Sequence, residues 1–148
     1  MDTKPKLTIR PRVLVVDDEQ PMLQLCCALL EAEFEVTPVD NGGAALRALA
    51  SGRFDVLATD YNMPAMNGLE LIARARELPD PPSAVLVTGY PEFALRDRNP
   101  ARPPFLLLVK PYNPVELTEV LHRAHGLVSL RRRLAAVVQS LPAQLTKN

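Results

Sequence analysis

The chain has 148 residues, about the length of one domain and enough to bury a hydrophobic core. Its 17 basic and 17 acidic residues cancel, so no net field attracts it to nucleic acid or to an anionic membrane. No apolar run approaches the ~20 residues that cross a bilayer and no signal segment follows Met1, so we expect a cytoplasmic protein that binds neither DNA nor membrane directly.

The first half of the chain alternates short apolar strands with helices. Arg12 to Val16 is typical of a strand buried on both faces, and the apolar spacing from Gln20 to Ala32 predicts a helix. Phe34 to Val39 is expected to be a second strand, and Pro38 places it at a sheet edge because proline cannot donate a ladder hydrogen bond. Asp40-Asn41-Gly42 then opens a helix that runs to Ala50.

The second half repeats this alternation. We expect a strand from Phe54 to Thr59, a helix from Gly68 to about Glu77, strands from Ala84 to Thr88 and from Phe105 to Val109, and a helix from Asn113 to about His125. Prolines between residues 91 and 104 leave room only for a short helix from Glu92 to about Arg98. Five strands alternating with helices predict an α/β fold with a doubly wound parallel sheet.

A helical extension is expected after the main domain, which we assign to residues 10–126, and the extension or linker is assigned to residues 127–148. Its apolar residues recur at alternating spacings of three and four, the pattern of a helix-pairing seam: Leu127, Leu130, Leu134, Val137 and Leu141. Three interpretations stay open: packing on its own domain, a homodimer through residues 127–141, or a linker. Arg131-Arg132-Arg133 is predicted to be a solvated helix face.

Polar side chains stand at the ends of four predicted strands. Asp17 and Asp18 follow the first strand, Asp60 follows the third, and Thr88 and Lys110 end the fourth and fifth. Because the carboxyl ends of parallel strands share one sheet edge, the three acids should converge there. Converging carboxylates repel one another, and hard oxygen ligands in this number suit Mg²⁺. Asp60 can serve as an oxygen nucleophile that forms an acyl phosphate, with the Lys110 cation and the Thr88 hydroxyl as partners of the phosphoryl group.

The cysteines and histidines receive no chemical role. Cys26 and Cys27 lie in an apolar helical stretch and are expected to be small core residues, which fits a reducing compartment. His122 and His125 lie on the last helix of the repeat, away from the strand ends, and are expected to be surface or interface residues.

Four segments, taken together and in order, resemble the receiver domain of bacterial two-component response regulators. They are VLVVDDE at residues 13–19, DYNMPAMNG at 60–68, VTG at 87–89 and VKPY at 109–112. The resemblance covers roughly residues 10 to 126. It implies a five-stranded sheet in the flavodoxin-like order 2-1-3-4-5 and a signalling switch rather than a turnover enzyme.

The resemblance also implies a role for each strand-end residue. Asp60 would accept a phosphoryl group from a histidine kinase or phosphotransfer protein, and the domain would catalyse its own phosphotransfer and dephosphorylation. Mg²⁺ would be bound directly by Asp18 and Asp60, through water by Asp17, and by the backbone carbonyl of Asn62. The phosphoryl charge would be shared among Mg²⁺, Lys110, Thr88 and the backbone N–H groups of Tyr61 and Gly89.

Further features follow the family or depart from it. Asn62 and Tyr90 would influence hydrolysis of the acyl phosphate, and Lys110-Pro111 resembles the family's cis peptide bond. Members usually carry Tyr or Phe three residues before the lysine, but here that residue is Leu107. Phe105 lies on the same strand face and is expected to be a core residue. The proline-rich segment 91–104 replaces much of a helix that often forms the output face, so partner contacts do not transfer.

Two alternatives remain beside a phosphorylatable receiver. The leucine at position 107 keeps open a receiver-shaped binding module that does not use phosphate. A Mg²⁺-dependent aspartyl phosphohydrolase is less favoured, because such an enzyme would be expected to carry Asp-x-Asp after its first strand, where this chain has adjacent Asp17 and Asp18.

Overall fold

The computed structural model describes residues 9–96 and 103–143. Its strands, β1 to β5, span Arg12–Val16, Glu35–Val39, Val56–Asp60, Ser83–Thr88 and Leu106–Val109. Its helices, α1 to α5, span Gln20–Leu30, Gly42–Ser51, Gly68–Ala75, Pro91–Arg96 and Pro114–Ser140. The alternation of strand and helix confirms the predicted α/β class. None of the helices in these residues has the length and apolar character needed to cross a membrane.

All five strands pair in parallel, in the predicted order β2-β1-β3-β4-β5. Pro38 lies in β2 at the sheet edge, as its missing N–H requires. The register places Asp60 beside Val87 on β4 and Thr88 beside Val109 on β5. The ends of β3, β4 and β5 are therefore nearly level, which brings their terminal side chains to one edge.

The core has one layer on each face of the sheet. Along β1, Val13 and Val15 face the layer covered by α1 and α5, and Leu14 and Val16 face the layer covered by α2 and α3. This period of two confirms that β1 is buried on both faces. Cys26 belongs to the first layer, as expected for a core residue, whereas Cys27 is partly exposed.

Asparagine side chains cap the N-termini of three helices. Asn41, Asn67 and Asn113 each accept a hydrogen bond from the backbone N–H three residues later, at 2.7, 2.9 and 2.8 Å. Such caps satisfy N–H groups that have no partner within the helix. The proline-rich stretch yields only the six residues of α4, and residues 97–102, including the predicted end of this helix near Arg98, lie outside the described residues.

The last helix does not end near His125, so that boundary prediction was wrong. Helix α5 continues from Pro114 to Ser140, and the expected division between residues 126 and 127 falls inside it. Val128, about one turn past His125, is only 1% exposed, so its side chain is buried on the face of α5 that contacts the domain. Burial of this residue and the contacts of the following arginines explain why the helix continues through a glycine.

The prediction that all three arginines face solvent was also wrong. The Arg132 guanidinium contacts Asp55 Oδ1 at 2.5 Å and donates to the Phe54 carbonyl at 3.0 Å. Arg131 contacts Asp80 Oδ1 at 2.8 Å. Only Arg133 is exposed. These pairs, which we call the arginine clamp (Arg131 and Arg132 with Asp55 and Asp80), hold α5 against the loops that precede β3 and β4.

Replacing Gly126 with alanine should stabilise the domain. Gly126 is helical, and a Cβ built there has no neighbouring atom within 4 Å. Alanine reduces the freedom of the unfolded chain at no steric cost, so Gly126→Ala should raise the free energy of unfolding by about 0.4–1 kcal/mol in urea titrations. Gly68→Ala is the opposing control, because its Cβ would lie 2.5 Å from the Asp60 carbonyl oxygen. A destabilised Gly126→Ala variant would show that the helix is interrupted there in solution.

Candidate functional site

Three carboxylates meet at the carboxyl edge of the sheet. Asp17 and Asp18 directly follow β1, and Asp60 is the last residue of β3. One carboxylate oxygen from each residue lies within 4.8 Å of the others. Asp17 is buried, Asp60 is half-buried and Asp18 is exposed, so the cluster opens to solvent on the Asp18 side. Asp17 is further fixed by the Glu19 N–H, which donates to its Oδ1 at 3.0 Å.

Lys110 provides the positive charge within this cluster. Its Nζ lies 3.1 Å from Asp60 Oδ1 and 3.8 Å from Asp17 Oδ2. The lysine backbone is held by its N–H, which donates to the Thr88 carbonyl at 2.9 Å, and the following bond to Pro111 is cis, as expected. Burial lowers the pKa of Lys110, but hydrogen bonding and attraction to Asp60 outweigh it, so the net shift is upward. Lys110 is therefore a cation at neutral pH.

One lysine does not fully compensate three acids. Burial raises the pKa of Asp60, Lys110 opposes this, and the charges of Asp17 and Asp18 add to the rise. The net direction is upward, which means that the ionised Asp60 is less favourable here than in water. The site therefore retains a capacity for further positive charge, and three carboxylates are oxygen donors of the kind that Mg²⁺ takes.

The turn after β4 brings Thr88 to the same edge. Thr88 is buried, and its hydroxyl oxygen accepts a hydrogen bond from the Tyr90 N–H at 3.0 Å. A hydroxyl that accepts one bond can still donate its own proton. Gly89 and Tyr90 are exposed beyond it.

Tyr61 does not present a free backbone donor in this conformation. Its N–H donates to the Val87 carbonyl at 2.9 Å and so extends the pairing of β3 with β4. The expectation that this N–H receives a phosphoryl oxygen therefore does not agree with the structure. Asn62, the next residue, is exposed beside the cluster.

Gly68 is a structural requirement of the site that the sequence reasoning did not single out. Its N–H donates to the Tyr61 carbonyl at 2.9 Å, and a Cβ there would lie 2.5 Å from the Asp60 carbonyl oxygen and 2.8 Å from a Leu86 methyl group. The turn that leads to it includes Ala65 with a φ of 67°, a value unusual for alanine. The sequence signal for this close approach of α3 to the end of β3 was Gly68 directly after Asn67, the residue that caps α3.

The remaining candidates lie outside the carboxylate cluster. Leu107 and Phe105 are partly buried and pack on the layer under α2 and α3, as expected for a core phenylalanine. The His122 ring packs against the Phe34 ring in a tilted arrangement with centroids 4.6 Å apart, and its Nε2 lies 3.2 Å from Glu33 Oε1. His122 is therefore a surface residue, as predicted.

Comparison with known proteins identifies the family. Residues 13–122 match the family model described as the response regulator receiver domain. The chain belongs to this family. The receiver resembles the response regulator receiver protein CpdR of Brucella abortus, with 33% identity over 113 residues that make up 76% of this chain and 94% of the relative.

Two further relatives show how the receiver relates to longer and shorter proteins. The regulatory protein AtoC of Escherichia coli is 27% identical over 136 residues, which are 91% of this chain but only 30% of AtoC. The solved structure of the chemotaxis response regulator CheY4 of Vibrio cholerae superposes with a TM-score of 0.71 at 30% identity, over 78% of this chain and 99% of that one. The chain is thus homologous to receivers of two-component signalling, both free-standing and within larger regulators.

In metal-free protein at neutral pH, Asp60→Asn should raise the free energy of unfolding. Because the folded-state pKa of Asp60 lies above its ordinary value of 3.8, its contribution to stability is present below 3.8 and is lost as the pH rises through the folded-state pKa. Asparagine does not titrate and removes that loss. Urea titrations in EDTA should show a larger gain at pH about 7 than at about 4. Asp40→Asn, at an exposed acid outside the cluster, is the control. A variant less stable than wild type at neutral pH would contradict the assigned sign.

Proposed function

We propose that the receiver accepts a phosphoryl group on Asp60 from a phosphohistidine and acts as a signalling switch. The observation that carries the proposal is the position of the Asp60 carboxylate, 3.1 Å from Lys110 Nζ and within 4.8 Å of carboxylate oxygens of Asp17 and Asp18. A nucleophile, a fixed cation and an acidic cluster therefore lie together at one solvent-accessible edge of the sheet.

In the transfer step, an Asp60 carboxylate oxygen forms a bond to phosphorus as the phosphorus–nitrogen bond of the donor breaks. The electron pair of the broken bond stays on the departing imidazole nitrogen, and Asp60 becomes an acyl phosphate. Little covalent work is required of the protein, so positioning and charge stabilisation provide the catalysis. Water later cleaves the acyl phosphate, which releases inorganic phosphate and returns the Asp60 carboxylate.

Lys110, Thr88 and the Gly89 N–H are proposed to receive the phosphoryl oxygens. Lys110 already lies beside the Asp60 oxygen, and its raised pKa keeps it charged. Thr88 stands on the adjacent strand with a hydroxyl that can donate. The Tyr61 N–H has no part in this proposal because it is bonded within the sheet.

Asp17, Asp18 and Asp60 are proposed to hold Mg²⁺, with the Asn62 carbonyl as a further ligand. The fit rests on their shared oxygen chemistry and on carboxylate oxygens that lie within 4.8 Å of one another. Burial, with a further contribution from the charges of Asp17 and Asp18, raises the pKa of Asp60 despite Lys110. When bound, Mg²⁺ supplies positive charge that lowers the repulsion between the carboxylates and the incoming phosphoryl oxygens.

The proposed donor is a sensor histidine kinase or phosphotransfer protein, and the receiver is proposed to act in the cytoplasm. The activities of longer relatives such as AtoC are not carried over, because the chain spans only 30% of that protein. Leu107, which packs with the core in place of the family's usual aromatic, favours a second candidate, a binding module that does not respond to phosphate. The two candidates differ in whether Asp60 is modified.

An acyl-phosphate donor with Mg²⁺ should add one phosphoryl group to the protein, measured by intact mass. Asp60→Asn should remove this uptake, and EDTA should reduce it strongly, because both the nucleophile and the charge compensation are required. Asp40→Asn, again the exposed control, should be labelled as wild type is. Labelling of Asp60→Asn at normal stoichiometry would refute the acceptor assignment, and no labelling of wild type would favour the phosphate-independent module.

Lys110→Ala should separate phosphorylation from the response to it. The variant keeps Asp60 but loses the cation that links the acyl phosphate to the β5–α5 loop. We expect labelling to persist while the phosphate-dependent change in amide exchange around Thr88 and Lys110 disappears. An equal exchange response in wild type and Lys110→Ala would exclude this role for the lysine.

A further inference from the structure

An apolar stripe runs along the last part of α5 to its C-cap and is only partly covered within the described residues. Its first member, Leu127, borders a pocket that Phe105 also lines, and all of its members remain substantially exposed. Its five members are each 41% to 57% exposed: Leu127, Leu130, Leu134, Val137 and Leu141. An exposed patch of this kind marks an interaction surface more often than a solvated one. The phosphoacceptor site does not use it.

The stripe does not face its own domain. Helix α5 contacts the domain through Ala124, Val128 and Arg132, which recur every four residues along one side of the helix. At about 100° per residue, the centre of the stripe is turned roughly 130° away from that side. While the arginine clamp is formed, α5 cannot rotate to bury the stripe intramolecularly. Among the three interpretations left open by the sequence, packing on the same domain is therefore not favoured.

The spacing of the stripe fits a second copy of the same helix. Intervals of three, four, three and four residues give a repeat of 3.5, which keeps a seam facing a partner helix that has the same repeat. Arg131 and Arg133 flank the seam and keep it narrow, as a two-helix contact requires. We propose that two receivers associate through a parallel coiled coil with Leu127 and Leu134 at positions a and with Leu130 and Val137 at positions d. Leu141 caps α5 with an extended backbone and lies just beyond the paired helices.

Charge favours the parallel orientation. In a parallel pair, the flanking positions place Arg133 beside Val138 of the other copy and Arg131 beside Gly126, so no like charges meet. Both receivers then lie at the same end of the coiled coil.

Two antiparallel registers would also bring leucines together, and each has a defect. One pairs Leu134 with Leu130 of the other copy and brings the Arg133 side chains of the two copies together, so that like charges meet. The other pairs Leu134 with Val137 and leaves Leu127 without an apolar partner. The parallel arrangement has neither defect.

Sedimentation of the full chain tests the association. Wild type at tens of micromolar should sediment as a dimer, and Leu130→Glu with Leu134→Glu should be a monomer, with a dissociation constant at least ~100-fold weaker. Leu25→Glu is the matched control: Leu25 on α1 is 50% exposed, like the stripe residues, and its replacement should leave the dimer intact. Point substitutions are preferred to truncation after Gly126, because Val128 and the arginine clamp belong to the folded domain.

The outcomes are distinguishable from those of the phosphoacceptor proposal. Asp60→Asn should dimerise as wild type does, because the stripe lies outside the site. Far-ultraviolet circular dichroism of the double variant should remain that of wild type. A wild type that stays monomeric at these concentrations, or a dimer that survives both glutamate substitutions, would overturn the proposal.

Orientation is tested by a single cysteine. Leu127→Cys in a Cys27→Ser background, which removes the partly exposed native thiol, should form a covalent dimer through residue 127 on mild oxidation if the helices are parallel. In either antiparallel register the two cysteines are far apart. A dimer by sedimentation that gives no such cross-link would overturn the parallel arrangement.

Discussion

The repulsion among three carboxylates at one edge of the sheet is the constraint on which the rest of the site depends. Asp17, Asp18 and Asp60 are held together because β1 and β3 are adjacent and parallel, and folding must offset the cost of this arrangement. Lys110 offsets part of it, while burial, together with the charges of Asp17 and Asp18, still raises the pKa of Asp60 above its ordinary value. A partly compensated acidic cluster of this kind is the basis of the proposed metal and phosphoryl site.

The opposite edge of the sheet carries a compensated charge cluster. There the arginine clamp joins α5 to Asp55 and Asp80, which lie just before β3 and β4. The same two strands end in Asp60 and Thr88. One end of each strand is thus held to the terminal helix by paired charges, and the other end carries the candidate functional site. The clamp pairs its acids with arginines, whereas the carboxylate cluster has Lys110 as its cation and is only partly compensated, which is why it is the candidate functional site.

Much of this could be predicted because strand patterns and motif positions are local. The continuous apolar run of β1 predicted burial on both faces, and Pro38 predicted the edge strand. The strand-end positions of Asp17, Asp60, Thr88 and Lys110 predicted their convergence, since parallel strands share an edge. The end of α5, by contrast, was misplaced near His125, just before Gly126. Glycine is a local signal for a helix end, but burial of Val128 and the arginine clamp are tertiary effects that override it.

By itself, the sequence determined which residue types stand at the strand ends, and with them the α/β class, the family resemblance and the candidate nucleophile. Only the tertiary structure decided which backbone groups are already bonded, as with the Tyr61 N–H, and which charges are paired, as with Arg131 and Arg132. The physical reason is the separation along the chain of the residues that interact. Periodicity and strand-end position are set within a few residues, whereas the partners of Arg132 lie 52 and 77 positions away along the chain and meet it only once the sheet has formed.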